Sequence, residues 1–411
     1  MDMNIKRTTV NKIVSEIISA VQPDTAVRRA LEGQSFPGKI ILVSIGKAAW
    51  QMANTAYDCL GNSIDDGIII SKYDHIKGPI GNLQCREAGH PIPDENSFSA
   101  TEDALKLVSG LKSDDTVLFL ISGGGSALFE KPLVPAAILQ NTTEQLLASG
   151  ADIIEINTIR KRLSSVKGGR FALACEPAQV FSIVLSDILG DPLDMIASGP
   201  AVSDATTSEE AIAIAKKYNL NLDAETWKLL GEETPKIVNN VTTMISGSVR
   251  ELCAAAARAC ERFAYKPIIL TDQLSCQAKE AGSFLASIVK THADDGERLA
   301  YIAGGETVVQ LTGKGKGGRN QEIALAAAEG IAGMDNVCVF SIGSDGTDGP
   351  TDAAGAYVDG KTKDKLKAEG LDIYKVLQDN DSYNALKKVD GLIITGPTGT
   401  NVNDVAVALI D

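Results

Sequence analysis

Uninterrupted apolar runs recur along this chain, and each is stopped by a glycine or an acid. The first series is KIILVSIG (39–46), DGIIIS (66–71), TVLFLIS (116–122) and VFSIVLSD (180–187), with amphipathic helical stretches such as 47–60 and 95–111 between them. Strands that stay apolar throughout, rather than alternating with polar residues, are buried on both faces. Interleaved with helices, they predict a parallel sheet covered on each side. A second series follows: TTMISG (242–247), KPIILT (266–271), RLAYIAGG (298–305), VCVFSIG (337–343) and GLIIT (391–395), with helices at 248–263, 275–290 and 319–331. Before both, Ile13, Val14, Ile17, Ile18 and Val21 share one face of a helix. The polar segment GEETPKIVNN (231–240) lies between the series. A chain of 411 residues exceeds one ordinary core. The expected organisation is therefore a domain over 1–240 and another over 241–411.

The bulk chemistry narrows the function. A net charge of −14 argues against general nucleic-acid binding, which needs a basic face. No apolar run approaches the roughly 18 residues of a membrane helix, and the start MDMNIKRTTV has no apolar core of a leader. The seven cysteines contain no CxxC pair, so buried thiols in a reducing cytoplasm are expected.

The strand ends carry the chemistry: SIGK (44–47), ISGGGS (121–126), LSD (185–187), AGGET (303–307), SIGSDGTDG (341–349) and ITGPTGT (394–400). In open parallel sheets ligands bind beyond the carboxyl ends of strands, and glycine lets backbone N–H groups approach an anion. Glycines also make ordinary tight turns, but so many such ends together predict a large polar cleft. ISGGGSALF offers Ser122, Gly123, Gly124, Gly125 and Ser126 as a phosphate cradle. It is neither a Walker A loop nor a full dinucleotide fingerprint, because Leu128 stands where a third small residue belongs. Lys47 is expected at the first position of a helix, where its ammonium opposes the helix dipole and better serves a bound phosphate or carboxylate.

Two basic segments stand out in an acidic chain. NTIRKRLSSVKGGR (157–170) carries Arg160, Lys161, Arg162, Lys167, Gly168 and Arg170. Its SxxK match lacks the companion elements of acyl-transfer enzymes, so an anion contact competes with a solvated basic face. GKGKGGRNQE (313–322) gathers Lys314, Lys316, Gly317, Gly318 and Arg319 at a helix start, which predicts an anionic ligand. Carboxylates at strand ends suit Mg²⁺, which takes one or two protein oxygens and completes its octahedron with water and phosphate. Asp187, Asp191, Asp194, Asp345, Asp348 and Asp352 are the candidates, one or two of them functional. No histidines pair at metal spacing among His75, His90 and His292, and His90 is either a substrate contact or a loop residue without a role.

Taken together, SIGKAA, GHPIPDENS, SGGGSALF, NTIRKRLSSVKGG, SDILGDPLDMIASGP, GGETVVQLTGKGKGGRNQE and SDGTDGPTDAAGA resemble the glycerate 2-kinase family, whose C-terminal part is named MOFRL. The resemblance spans nearly the whole chain in order. It implies two unlike α/β domains, the first Rossmann-like with a parallel sheet and the second with a mixed sheet, with the active site in the cleft between them. It implies a kinase that uses ATP and Mg²⁺ to convert D-glycerate to 2-phosphoglycerate; a cytoplasmic location and a monomer or homodimer are expected beside it. Lys47 and Arg319 resemble the family's catalytic basic residues. Asp187 is expected to orient or deprotonate the 2-hydroxyl, or to bind metal. His90 and Arg160 are expected at the substrate, and Asp191 and Asp345 at the metal. Gly123–Ser126, Lys167, Gly168 and Lys314–Gly318 are expected around phosphates. Two other functions remain open at this stage: a nicotinamide-dependent hydroxypyruvate reductase, a label family members have also carried, and a non-catalytic sugar-acid or nucleotide sensor.

Overall fold

The computed structural model describes residues 3–411. The chain forms two compact units. One holds residues 27–185 and 191–246; the other holds the N-terminal stretch through Ala26, residues 186–190 and residues 247–411.

The first unit is built on six strands, β1 (Ile40–Ile45), β2 (Ile64–Lys72), β3 (Gln84–Ala88), β4 (Thr116–Ile121), β5 (Gln179–Leu185) and β6 (Val241–Gly247), in the order β3-β2-β1-β4-β5-β6. The pairings from β3 through β5 are parallel. Every residue of β1 and β4 is buried, as their unbroken apolar sequences predict. The chain leaves β1 in one direction across the sheet and returns to β4 on its other side. The crevice at their carboxyl ends is thus a topological switch point, where ligands bind in this order of strands. In register, Ile45 sits level with Ile121, so the segments after both strands emerge together.

The second unit carries β7 (Lys266–Leu274), β8 (Leu299–Gly305), β9 (Val337–Gly343), β10 (Gly355–Asp359), β11 (Leu392–Ile393) and β12 (Asp404–Ile410), in the order β11-β10-β9-β12-β8-β7. Only β7 with β8 is parallel; the other pairs are antiparallel, so the sheet is mixed. Its two faces follow the period-two alternation of a strand. Leu299, Tyr301 and Ala303 face one core with Ile323 and Leu325, while Ala300 and Ile302 face the other with Leu252 and Ala256.

Two placements differ from the sequence reading. The TTMISG strand, expected in the second series, is β6 and extends the first sheet, so the last crossing falls between Ser246 and Gly247 rather than at 240. The first helix, Met3–Ala20, belongs to the second unit: Val10, Ile13, Val14, Ile17 and Val21 pack in the core with Val249, Leu252 and Cys253. An amphipathic helix is assigned by the face it buries, and its sequence does not name the partner. Not all thiols are internal: Cys175, Cys253, Cys260 and Cys338 are buried, whereas Cys59 and Cys276 are exposed. No helix among the described residues is long and apolar enough to cross a membrane.

Candidate active site

At the switch point of the first unit, the ends of β1 and β4 are tied by two backbone bonds and one to a serine side chain. Lys47 N–H donates to Gly123 O at 2.8 Å, Ser122 N–H to Ile45 O at 3.0 Å, and Ala48 N–H to Ser122 Oγ at 3.0 Å. The approach requires glycine at 46, since a Cβ there would lie 2.2 Å from Ser122 Oγ. The following helix is Ala49–Leu60 with Ala48 as its cap, so Lys47 precedes the cap rather than occupying the first helical position. Its main chain is fastened, yet its side chain is exposed.

The glycine loop turns through Gly124 at φ 88° into a short helix, Gly125–Leu128. Beneath it Phe119, Phe129 and Phe171 form an aromatic cluster with centroids 4.7–5.8 Å apart. The His90 ring lies on the loop: a Cβ on Gly124 would stand 3.1 Å from His90 Nε2 and 3.4 Å from Lys47 Cγ. Burial, then the charges of Lys47 and Lys72, hold His90 below the ordinary histidine pKa, so the imidazole is neutral near pH 7. His75, which no pattern in the sequence singled out, sits with Nδ1 3.0 Å from Lys47 O. Lys47 and the glycine loop, which the strand-end pattern singled out, therefore meet, and His90, which the sequence left open, lies against them.

The basic segment 157–170 is mostly internal wiring. Lys161 Nζ pairs with Asp204 at 3.1 Å and Asp194 at 3.4 Å. Arg162 donates to Thr158 O and Thr206 O, each at 2.9 Å. Arg170 Nη1 donates to Lys161 O and Ser164 O, each at 2.6 Å. Lys167 and Gly168, expected at a phosphate, require correction. Lys167 is fully buried, and its ammonium holds Ser126 O at 2.7 Å, Phe129 O at 3.1 Å and Glu130 at 3.3 Å. Gly168 N–H donates to Ser198 O. An ammonium already meeting two carbonyls and a carboxylate has no donor left for a ligand. It anchors the short helix after the glycine loop from below. Arg160 is partly buried, its Nε has no hydrogen-bond partner, and Glu130 is the acid whose charge acts on it.

In the second unit Arg319 opens the helix Arg319–Gly330, capped by Gly318. Its guanidinium is already engaged. Nε lies 2.5 Å from Asp404 Oδ2, Nη2 donates to Asp404 Oδ1 at 3.2 Å, and Nη1 to Glu306 Oε1 at 2.7 Å. The bidentate edge expected to grip a ligand is thus occupied by Asp404. Asp348 caps the same helix, accepting from Asn320 N–H at 3.1 Å and Gln321 N–H at 2.8 Å. Burial raises Asp348 to about 6 and Asp404 to about 7.

The lysine- and glycine-rich stretch before Arg319 also differs from expectation. Its N–H groups are bonded within the protein: Thr312 and Gly313 to Asn380 Oδ1, Lys314 to Asp379 Oδ1, Gly315 to Asp379 O, and Lys316 to Asp381 Oδ1. A Cβ on Gly317 would lie 2.1 Å from Ser382 Oγ, and on Gly318 2.2 Å from Asp348 Cγ. The glycines permit close packing against residues 379–382 and Asp348, so the backbone from 313 to 316 is no anion cradle. The Lys314 and Lys316 side chains remain exposed, with Lys316 Nζ 4.6 Å from the Tyr383 ring centre.

The aspartates sort by partner. Asp194 pairs with Lys161, Asp352 accepts from Tyr383 Oη at 2.7 Å, and Asp345 Oδ1 accepts from Thr347 N–H at 2.9 Å. Asp187 follows β5, within the 186–190 segment of the second unit. Asp191 stands apart: its backbone is left-handed, φ 52°, and its buried Oδ1 accepts no hydrogen bond. No group of three histidine, cysteine or acidic side chains suited to a metal occurs among the described residues. No sequence pattern singled out Asp404, Glu306, His75 or the hydrogen bond of 3.1 Å from Ser198 Oγ to Asn157 Oδ1. A lone acid opening an apolar strand, as in NDVAVALI, carries no distinguishing pattern.

A parallel sheet with a polar, glycine-lined switch point, joined in one chain to a mixed-sheet unit with a guanidinium–carboxylate centre, defines a two-unit α/β protein of enzyme type. Residues 9–231 match the model for the domain of unknown function DUF4147, and residues 299–404 match the MOFRL family. The D-glycerate 2-kinase of Thermotoga maritima is 50% identical over 405 residues, covering 97% of each chain. The glycerate 2-kinase of Pyrococcus horikoshii is 41% identical over 431 residues, covering 97% of this chain and 96% of that one. The crystal structure of the Thermotoga maritima glycerate kinase aligns with a TM-score of 0.95 at 49% identity, over 99% of this chain and all of that one. This chain belongs to the glycerate 2-kinase family.

Proposed function

We propose that the protein transfers the γ-phosphoryl group of ATP to the 2-hydroxyl of D-glycerate, giving 2-phosphoglycerate and ADP. The observation that carries the reading is the junction of Lys47 with the glycine loop at the switch point. There the stem of an exposed lysine lies against the loop beside a neutral imidazole. Phosphoryl transfer is chiefly positioning and charge stabilisation, and these groups supply both. In this reading Lys47 offsets charge on the transferring phosphoryl group, and Gly123–Ser126 receive phosphate oxygens on backbone N–H groups. Arg160 binds the glycerate carboxylate, and His90, uncharged, donates to or accepts from a substrate hydroxyl. Arg319, held by Asp404, is required for turnover through its remaining N–H donors.

Mg²⁺ supplies charge neutralisation on phosphate oxygens when bound. It needs one or two carboxylates, and Asp191 fits that requirement because its buried Oδ1 has no other partner. Asp345 fits less well, since Oδ1 is taken by Thr347 N–H.

The test mixes the protein with Mg-ATP and each glycerate enantiomer and identifies the product by phosphorus NMR. 2-Phosphoglycerate from the D enantiomer alone is expected. The 3-phosphate, or no ADP release, removes the assignment.

A further inference from the structure

We propose that Ser198 is a positioning residue for the glycine loop, and that the strained turn carrying it is retained for that purpose; this rests on the kinase reading above. Ala197, Ser198 and Gly199 are consecutive left-handed residues, with φ of 52°, 62° and 65°. Residues with a Cβ rarely adopt this conformation, and only glycine does so freely. Two of the three nevertheless carry side chains. Strain of this kind persists where the surroundings over-determine it, and it concentrates at functional sites.

Both strained residues press on the loop. The Ala197 Cβ lies 2.8 Å from where a Gly125 Cβ would stand, which fixes that position as glycine. Ser198 is fully buried, with Oγ 3.0 Å from Ser126 Oγ and 3.1 Å from Asn157 Oδ1. Asn157 lies one turn before Arg160 on the helix Ile153–Arg162. One hydroxyl therefore joins the last residue of the glycine loop to the helix that presents Arg160. The direction of the bonds adds a chemical consequence. Ser198 donates its single proton to Asn157, so the bond between the serines uses the Ser126 proton. The lone pairs of Ser126 are turned away from Ser198, and its hydroxyl serves a ligand as an acceptor. Phosphate oxygens are left to the backbone N–H groups of the loop.

Two variants separate this role from a structural one. Ser198→Gly removes the hydroxyl and relieves the left-handed strain; Ser198→Ala removes the hydroxyl and keeps the strain. Steady-state kinetics with Mg-ATP and D-glycerate are measured beside the melting temperature. Both variants are expected to lose at least ten-fold in kcat. Ser198→Gly is expected to melt at or above the wild-type temperature, whereas Ser198→Ala melts below it. Full kcat in either folded variant overturns the proposal, because a merely structural hydroxyl moves the melting temperature and not the chemistry. Should Ser198→Ala fail to fold, Ser198→Gly decides alone. A wild-type protein without glycerate phosphorylation would instead remove the kinase reading, and this proposal with it.

Discussion

The Arg319 guanidinium lies edge-on against the Asp404 carboxylate, with Nε 2.5 Å from Oδ2 and Nη2 3.2 Å from Oδ1. Asp404 opens β12 and Arg319 opens a helix, so the two rigid elements fix the fork between them. Asp404→Asn keeps the shape and removes the charge. We expect kcat to fall at least ten-fold with the protein still folded. Stability should change little near pH 7, because burial already disfavours the ionised carboxylate that asparagine replaces. Unchanged kcat would show that the orientation of Arg319 does not matter.

The same carboxyl gives a pH signature. Its pKa in the fold is raised from 3.8 to about 7, chiefly by burial. A raised pKa means that the folded state binds the proton more tightly than the unfolded one. The associated stability is complete below pH 3.8 and is lost as pH rises through about 7. Urea unfolding measured from pH 4 to 8 should therefore show a downward contribution that Asp404→Asn abolishes. Parallel curves for both proteins would contradict the assignment.

Lys47→Ala is expected to cut kcat by about a hundred-fold or more, as loss of a charge aimed at a transition state does. The melting temperature should stay within a degree or two of wild type. The strand-end bond uses Lys47 N–H, which alanine retains, and the side chain is exposed. Near-normal turnover would take Lys47 out of the mechanism.

Lys167→Met tests whether this lysine is structural. Its loss leaves Glu130 buried without its cation and frees two carbonyls, for an expected cost of about 3–5 kcal/mol. The double variant Lys167→Met/Glu130→Leu should recover part of that loss in a denaturant melt. If Lys167→Met instead melts normally and only raises the KM for ATP, the lysine belongs to the ligand.

Asn380 fastens the stretch before Arg319. It accepts from Thr312 and Gly313 N–H and donates to Gln310 O and Glu322 Oε1. Asn380→Ala should cost about 2–4 kcal/mol, with four bonds lost at typical net values. Hydrogen exchange at Thr312 and Gly313 should quicken. Unaltered exchange there would mean that the loop holds itself.

Much of the architecture was legible because burial on both faces leaves a direct trace. β1 and β4 read as unbroken apolar runs, and the glycines after them read as strand ends that something approaches. Those signals put Lys47 and Gly123–Ser126 at neighbouring strand ends, whereas the place of His90 beside them came from the tertiary structure. The basic segments misled for a common reason. Positive charge in the sequence looks the same whether it faces solvent, a ligand or a buried acid. Lys161, Arg162, Lys167 and Arg170 met internal partners, and Lys314, Gly315 and Lys316 gave their N–H groups to Asp379 and Asp381, some sixty positions away.

The sequence alone determined the strand-helix alternation, the parallel character of the first sheet, the family and the loops that end its strands. All of these are set by local periodicity or by contiguous motifs. Tertiary structure alone decided that the first helix and β6 change units, that Asp404 takes the fork of Arg319, and that Ser198 joins the glycine loop to the helix of Arg160. Each of these depends on contacts between residues far apart in the chain, where the energy lies in distance and burial rather than in the identity of neighbours.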